Sequence, residues 1–154
     1  MEPELPMRGE HSRRLHDLVV HMVWAVRHRT PLLDERDDER RIELFRRKAY
    51  DVGAELIAAG CASDHVHVLV RLGSTCRVAD VAKRLKGASS RVENLTCPDR
   101  RFEWQDGYWC QSCDPLSLDG VLAYVLRQRE RHRESVREPW EFFELSDGDA
   151  GERR

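Results

Sequence analysis

His65-Val66-His67-Val68-Leu69-Val70-Arg71-Leu72 runs for eight residues without glycine or proline, and its reading decides the fold. Valine and leucine at this density make a strand. Side chains on a strand alternate between faces, so Val66, Val68 and Val70 turn to the core while His65 and His67 project together from the other side. Upstream, Glu55-Leu-Ile-Ala-Ala-Gly-Cys61 either extends the preceding helix or forms a strand after Gly53, and the strand is preferred. Further back, Ile42, Phe45 and Ala49 recur at helical spacing between Glu35 and about Val52. Leu18-Val-Val-His-Met-Val-Trp-Ala-Val26 is rich in β-formers and reads as a buried central strand.

Downstream, Val78, Val81, Ala82 and Leu85 follow i, i+3, i+4, i+7 and predict an amphipathic helix through about Val92. Gly107 to Ser112 reads as a further strand, ended by Asp114-Pro115. Ser117 is a plausible N-cap for a last long helix opened by Leu118, Val121, Leu122 and Val125. The order β-α-β-β-α-β-α predicts an α/β (α+β) sandwich, a ferredoxin-like split βαβ with a small antiparallel sheet and helices on one face.

The chain has 154 residues and 18.0 kDa, 40% apolar and 35% charged, which is the composition of one globular domain. No apolar stretch is long enough to span a bilayer, so no membrane partner is expected. Without a secretion-signal pattern, the five cysteines (Cys61, Cys76, Cys97, Cys110, Cys113) read as reduced cytosolic thiols. The net charge is −2, but its distribution is uneven. Arg77 to Arg101 holds seven basic residues against Asp80, Glu93 and Asp99, and Arg127 to Arg133 holds four arginines against Glu130. From Glu134 onward seven acids face three arginines. A basic centre binds polyanions locally whatever the sum, because charges act within about 10 Å at ordinary salt.

Two imidazoles side by side on a strand either ligate a metal or fill two partly exposed polar positions. On the last helix Tyr124, Gln128 and His132 lie at i, i+4, i+8 and form one stripe, with Tyr124 on the flank of the apolar face. A tyrosine there either packs or offers its hydroxyl as a nucleophile, and Arg127, Arg129, Arg131 and Arg133 set a phosphate-attracting field beside it. Lys83, Arg84, Lys86 and Arg91 read as phosphate contacts or as a solvated helix face, with Arg27 and Arg29 flanking the same groove. Trp104 and Trp109 either stack on unpaired bases or pack in the core. Cys110-Gln-Ser-Cys113 has zinc-like spacing, but no second pair accompanies it.

Asp64-His-Val-His-Val-Leu-Val70 resembles the histidine–hydrophobic–histidine signature of HUH endonucleases. With Arg27-His-Arg-Thr-Pro-Leu-Leu33, Leu85-Lys-Gly-Ala-Ser-Ser-Arg91, Phe102-Glu-Trp-Gln-Asp-Gly-Tyr108 and Tyr124-Val-Leu-Arg-Gln128, the chain from Leu18 to His132 resembles the single-tyrosine transposases of insertion-sequence 200/605 type and their REP-associated relatives. That resemblance implies a DNA transposase whose catalytic domain covers residues 15–135, between a flexible leader over 1–14 and an acidic tail over 136–154. It implies Tyr124 as nucleophile and His65, His67 and Gln128 as ligands of Mg²⁺ or Mn²⁺. The DNA contacts would come from Arg27, Arg29, Lys83, Arg84, Lys86, Arg91, Arg127 and Arg131. The implied partner is single-stranded DNA with hairpins, in the prokaryotic cytoplasm at the nucleoid, cut through a 5′-phosphotyrosine intermediate. A domesticated relative that binds hairpins without cutting is the alternative.

The chain departs from the pattern at Arg131, where relatives often carry a second histidine, and at Cys110 and Cys113, where they carry small or hydroxyl residues. The resemblance also implies a homodimer with composite sites, His65 and His67 from one subunit and Tyr124 from the other. In REP-associated relatives the helix can instead act within its own chain, and the tail with Trp140 and Phe142 would then cover the sheet edge.

Overall fold

The structure, a computed structural model, describes residues 17–132. The leader over 1–14 and the acidic tail with Trp140 and Phe142 lie outside the described residues. Four strands, β1 (Leu18–Ala25), β2 (Ala54–Cys61), β3 (His65–Leu72) and β4 (Trp109–Cys113), form one sheet in the order β2-β3-β1-β4. Every pairing is antiparallel. With α1 (Asp38–Asp51) between β1 and β2 and α2 (Val78–Thr96) between β3 and β4, this is the ferredoxin-like sandwich that the element order predicts.

Both crossover helices pack on one face of the sheet. Val20, Met22 and Trp24 of β1 and Val66, Val68 and Val70 of β3 meet Phe45 and Ala49 of α1 and Val81, Ala82 and Leu85 of α2 there. Trp104 belongs to this core, with its Nε1 donating to Ser89 Oγ at 2.9 Å, so it packs and does not stack on bases. Arg41 is buried between α1 and α2 and donates to Glu93 Oε1 at 2.8 Å and to Asp38 Oδ1 at 2.8 Å. A guanidinium tolerates such burial only with its carboxylates in place.

The opposite face carries Val19, Ala58 and Leu69, covered by α3 (Leu118–Leu126) through Val125. The expected single long last helix is broken here. Arg127 leaves helical geometry (φ −103°, ψ 19°), and a short α4 (Gln128–His132) restarts after it. Ser117 does not cap α3 with its side chain; Asp114 Oδ1 accepts instead from the amides of Leu116 and Ser117. Cys110 packs with the α1/α2 core and Cys113 with the α3 side, so the two thiols point to opposite faces and cannot share a zinc ion.

A bulge in β2 between Leu56 and Ala58 resets its alternation. Beyond it Ala59 and Cys61 face the α1/α2 core, and Gly60 pairs directly with His67.

Candidate active site

His65 and His67 lie on the α3 face of β3, both fully buried. His65 Nδ1 is 2.7 Å from Asp64 Oδ1, and Arg29 Nε donates to Asp64 Oδ2 at 2.8 Å. Burial alone would raise the Asp64 carboxyl, but the hydrogen bonds from His65 and Arg29 outweigh it and hold it at about 2. A carboxylate can only accept, so the neutral tautomer of His65 that fits this contact carries its proton on Nδ1 and leaves the lone pair on Nε2. That nitrogen faces Gln128 Oε1 at 3.3 Å. Gln128 cannot turn its amide round without loss, because its Nε2 donates to the Tyr124 carbonyl at 2.9 Å. An imidazole lone pair and an amide oxygen thus converge, with His132 Nε2 3.2 Å from the same oxygen.

His67 Nδ1 lies 2.8 Å from His21 Nε2, and the two rings meet edge to edge, 26° from coplanar, with centroids 5.1 Å apart. Burial, then the neighbouring charges of His65, His21, His132 and Arg131, holds His67 well below the ordinary histidine range. Burial pushes His21 down to about 4. Both are therefore neutral near pH 7, the state a metal ligand needs.

Tyr124 completes the cluster. Its half-buried ring stands edge-on to His67 at 5.2 Å and to His21 at 5.9 Å. The Arg131 guanidinium lies over it, 5.0 Å from the centroid. The tyrosine reaches the histidines because α3 sits unusually close to β2, above Gly60. A Cβ on Gly60 would fall 1.8 Å from the Val125 carbonyl oxygen and 3.3 Å from Gln128 Cγ.

Among the described residues no three His, Cys, Asp or Glu side chains form a metal-binding group. A cation here would take two imidazole nitrogens and the Gln128 amide oxygen. Two neutral nitrogens and one oxygen suit Mn²⁺ and admit Mg²⁺ once phosphate oxygens join, so the donor set fits the metal that the resemblance implies.

The basic residues do not gather in one groove. Arg131 is in the cluster and exposed Arg127 stands at the break above it. Arg29 reaches it through Asp64, while Arg27 pairs with Glu103 at 2.7 Å. Lys86 is turned inward, donating to the carbonyls of Gln105 and Gly107 at 2.8 Å, and burial lowers its pKa. Lys83, Arg84 and Arg91 line a groove between α1 and α2 with Arg47 and Lys48, on the far side of the sheet from the histidines.

The family described as "Transposase IS200 like" matches residues 14–128, the segment that carries every side chain of this cluster except Arg131 and His132. The chain belongs to the IS200-like transposases. The ISDra2 transposase TnpA of Deinococcus radiodurans is 28% identical over 134 residues, covering 82% of this transposase and 96% of that protein. A crystal structure of a putative transposase from Deinococcus radiodurans R1 superposes with a TM-score of 0.63 at 23% identity, covering 79% of this chain and 98% of that one. A REP-associated tyrosine transposase bound to a REP hairpin superposes with a TM-score of 0.58 at 16% identity, covering 81% and 74%. These two share the transposase's fold. No described helix of the transposase is long and apolar enough to cross a membrane.

Sequence reasoning did not single out His21, Asp64 or Gly60. Strand alternation puts His21 on the face of Val19, and pairing through Val23↔His67 makes it a diagonal neighbour of His67. Asp64 needed only its place before His65 to be noticed. Gly60 needed the bulge and the helix above it, which no local pattern announces.

Proposed function

We propose that this transposase nicks and rejoins single-stranded DNA through a tyrosine–DNA intermediate, with Tyr124 as nucleophile and His65, His67 and Gln128 holding Mg²⁺ or Mn²⁺. The observation that carries the reading is the Tyr124 ring 5.2 Å from His67, in the cluster where Gln128 Oε1 and His65 Nε2 converge. When bound, the cation supplies Lewis acidity that polarises the scissile phosphate. Tyr124 Oη attacks that phosphorus and loses its proton, while Arg131 stabilises negative charge developing on the phenol. The bond from phosphorus to the 3′ oxygen breaks, the 3′ oxygen takes up a proton, and the 5′ phosphate stays on the tyrosine. A second 3′-hydroxyl reverses the step and joins a new end without ATP, because the phosphodiester energy is conserved.

Arg127 and Arg131 lie where they can hold the strand at the scissile bond. Arg27 and Arg29 flank it at the end of β1, with Arg29 committed to Asp64. Lys83, Arg84 and Arg91 lie across the sheet, so DNA held there is DNA away from the cut, such as the duplex of a hairpin. The hairpin-bound relative of the same fold supports that partner. A homodimer would carry two such clusters, and the protein would act on nucleoid DNA in the prokaryotic cytoplasm.

The test is a hairpin-bearing single strand labelled at its 3′ end and incubated with Mn²⁺. The label is expected to migrate with the protein on a denaturing gel, and chelator is expected to abolish the adduct. Tyr124→Phe is expected to lose it while hairpin binding stays within a few-fold. An adduct surviving in Tyr124→Phe would overturn the nucleophile and direct attention to Tyr108. Hairpin binding without any adduct in the wild type would favour the non-cleaving relative.

A further inference from the structure

Each β3 histidine has its own partner at Nδ1. For His65 it is the Asp64 carboxylate, and for His67 it is an imidazole nitrogen, His21 Nε2. Asp64 dictates the tautomer of His65, since a carboxylate cannot donate. The second contact is not dictated in that way, because either imidazole can play either part. A hydrogen bond between two neutral imidazoles contains one proton, so two arrangements are possible. If His21 Nε2–H donates, His67 carries its own proton on Nε2 and presents an N–H to the site. If His67 Nδ1–H donates, His21 Nε2 accepts and His67 Nε2 carries no proton.

Only the second arrangement lets His67 act as a ligand. The geometry is built to hold the pair in register. The rings lie within 26° of coplanar with their nitrogens edge to edge, and β1–β3 pairing sets His21 opposite Leu69 and Val23 opposite His67. Trp109 meets His21 edge-on at 5.1 Å and Tyr124 at 5.9 Å, so two aromatic rings hold the imidazole in place.

We propose that His21 is a positioning residue whose unprotonated Nε2 accepts the Nδ1 proton of His67 and thereby fixes His67 in the tautomer that can bind a divalent cation. This assignment rests on the reading of His67 as a ligand. It makes the two ligands unequal, since one imidazole leans on a carboxylate and the other on a neutral ring, which donates less electron density through the bond.

Two measurements test it. Long-range ¹H–¹⁵N correlation on the metal-free full chain, labelled at histidine and assigned with His21→Gln, reads the tautomer directly. His67 is expected to show a protonated Nδ1 and a pyridine-type Nε2; the reverse pattern overturns the proposal. Mn²⁺ binding followed by electron paramagnetic resonance gives the consequence. His21→Leu removes the acceptor and is expected to weaken Mn²⁺ about 10- to 100-fold, with hairpin binding in chelator unchanged. His21→Gln, whose amide oxygen still accepts, is expected to stay within a few-fold of the wild type. A His21→Leu chain that binds Mn²⁺ like the wild type, or a His21→Gln chain as weak as His21→Leu, overturns this assignment alone. A wild-type chain that takes up no Mn²⁺ overturns it together with the proposed function.

Discussion

Gly60 lies so close beneath Val125 that a single added methyl would fall 1.8 Å from the Val125 carbonyl oxygen. Backbone atoms cannot swing aside as a flexible side chain can, so β2 or the end of α3 has to move. Val125 is flanked by Tyr124 and followed by Gln128, so this contact sets the height of those two side chains above the histidines.

Gly60→Ala is therefore expected to act on both chemistry and stability. Tyrosine–DNA adduct formation should fall at least about tenfold, the loss that corresponds to 1.4 kcal/mol at the barrier. Stability should fall by roughly 1–3 kcal/mol, as overpacking usually costs. Adduct rates and urea unfolding on the same preparation check both. An unaltered adduct rate would show that the close approach of α3 does not position Tyr124.

Arg41 and Glu93 give a prediction about stability alone. Both side chains are 2% exposed or less, and Glu93 also meets Arg100 at 3.3 Å. Arg41→Met leaves a buried carboxylate with only its weaker partners and is expected to cost roughly 3 kcal/mol, the low end for a broken buried pair. Arg41→Met combined with Glu93→Leu should recover at least half of that in urea unfolding. A double variant as unstable as the single one would mean that packing, not the stranded charge, is what Arg41 contributes.

Asp64 leads to a test of how His65 is held. Asp64→Asn no longer obliges His65 to place its proton on Nδ1 and is expected to lower Mn²⁺ affinity about 10- to 100-fold. Arg29→Ala breaks the ion pair but leaves the carboxylate, and should keep Mn²⁺ binding within a few-fold. His65→Ala and His67→Ala should each abolish metal-stimulated cleavage. Equal Mn²⁺ affinity in Asp64→Asn and the wild type would refute the orienting role.

The fold was readable because β3 and the two crossover helices announce themselves by period: valines at every second position, and Val78, Val81, Ala82 and Leu85 at helical spacing. His65 and His67 share a face as strand alternation implies, whereas their meeting with Tyr124 and Gln128 was implied by the family resemblance and not by spacing. What lay beyond the sequence is whatever depends on two distant segments meeting. The break at Arg127, the bulge that brings Gly60 opposite His67, and the diagonal from His21 to His67 are all properties of contacts. The groove expected to join the α2 basic residues with Arg27 and Arg29 is absent among the described residues for a related reason. Local charge tells that they are basic, but only the sheet tells that Lys83, Arg84 and Arg91 stand on the layer away from the histidines and that Lys86 is used by backbone carbonyls.

Assembly within one chain is the last prediction, and two contacts argue for it. The resemblance implies composite sites shared between subunits, or in REP-associated relatives a helix acting within its own chain, and here the Tyr124 ring lies 5.2 Å from His67 of its own chain. The fit of Val125 onto Gly60 is one tie. The other is Arg129 of α4, which donates to Asp38 at 2.8 and 2.9 Å and to the Leu33 carbonyl at 2.9 Å, binding the segment with Gln128 to the start of α1. A half-buried guanidinium with three such bonds is not a surface pair that thermal motion undoes easily. Mixing Tyr124→Phe with His65→Ala, each inactive alone, separates the two architectures. Shared sites would restore one intact site per mixed dimer and a measurable fraction of adduct. Sites held within one chain would restore none even when differently tagged subunits are seen to exchange, and that is the expected result. Arg129→Ala should then loosen the tie, lowering adduct formation in the otherwise wild-type chain. If mixing restores cleavage, the helix crosses between subunits in the working enzyme, and the Arg129–Asp38 contact belongs to a resting arrangement.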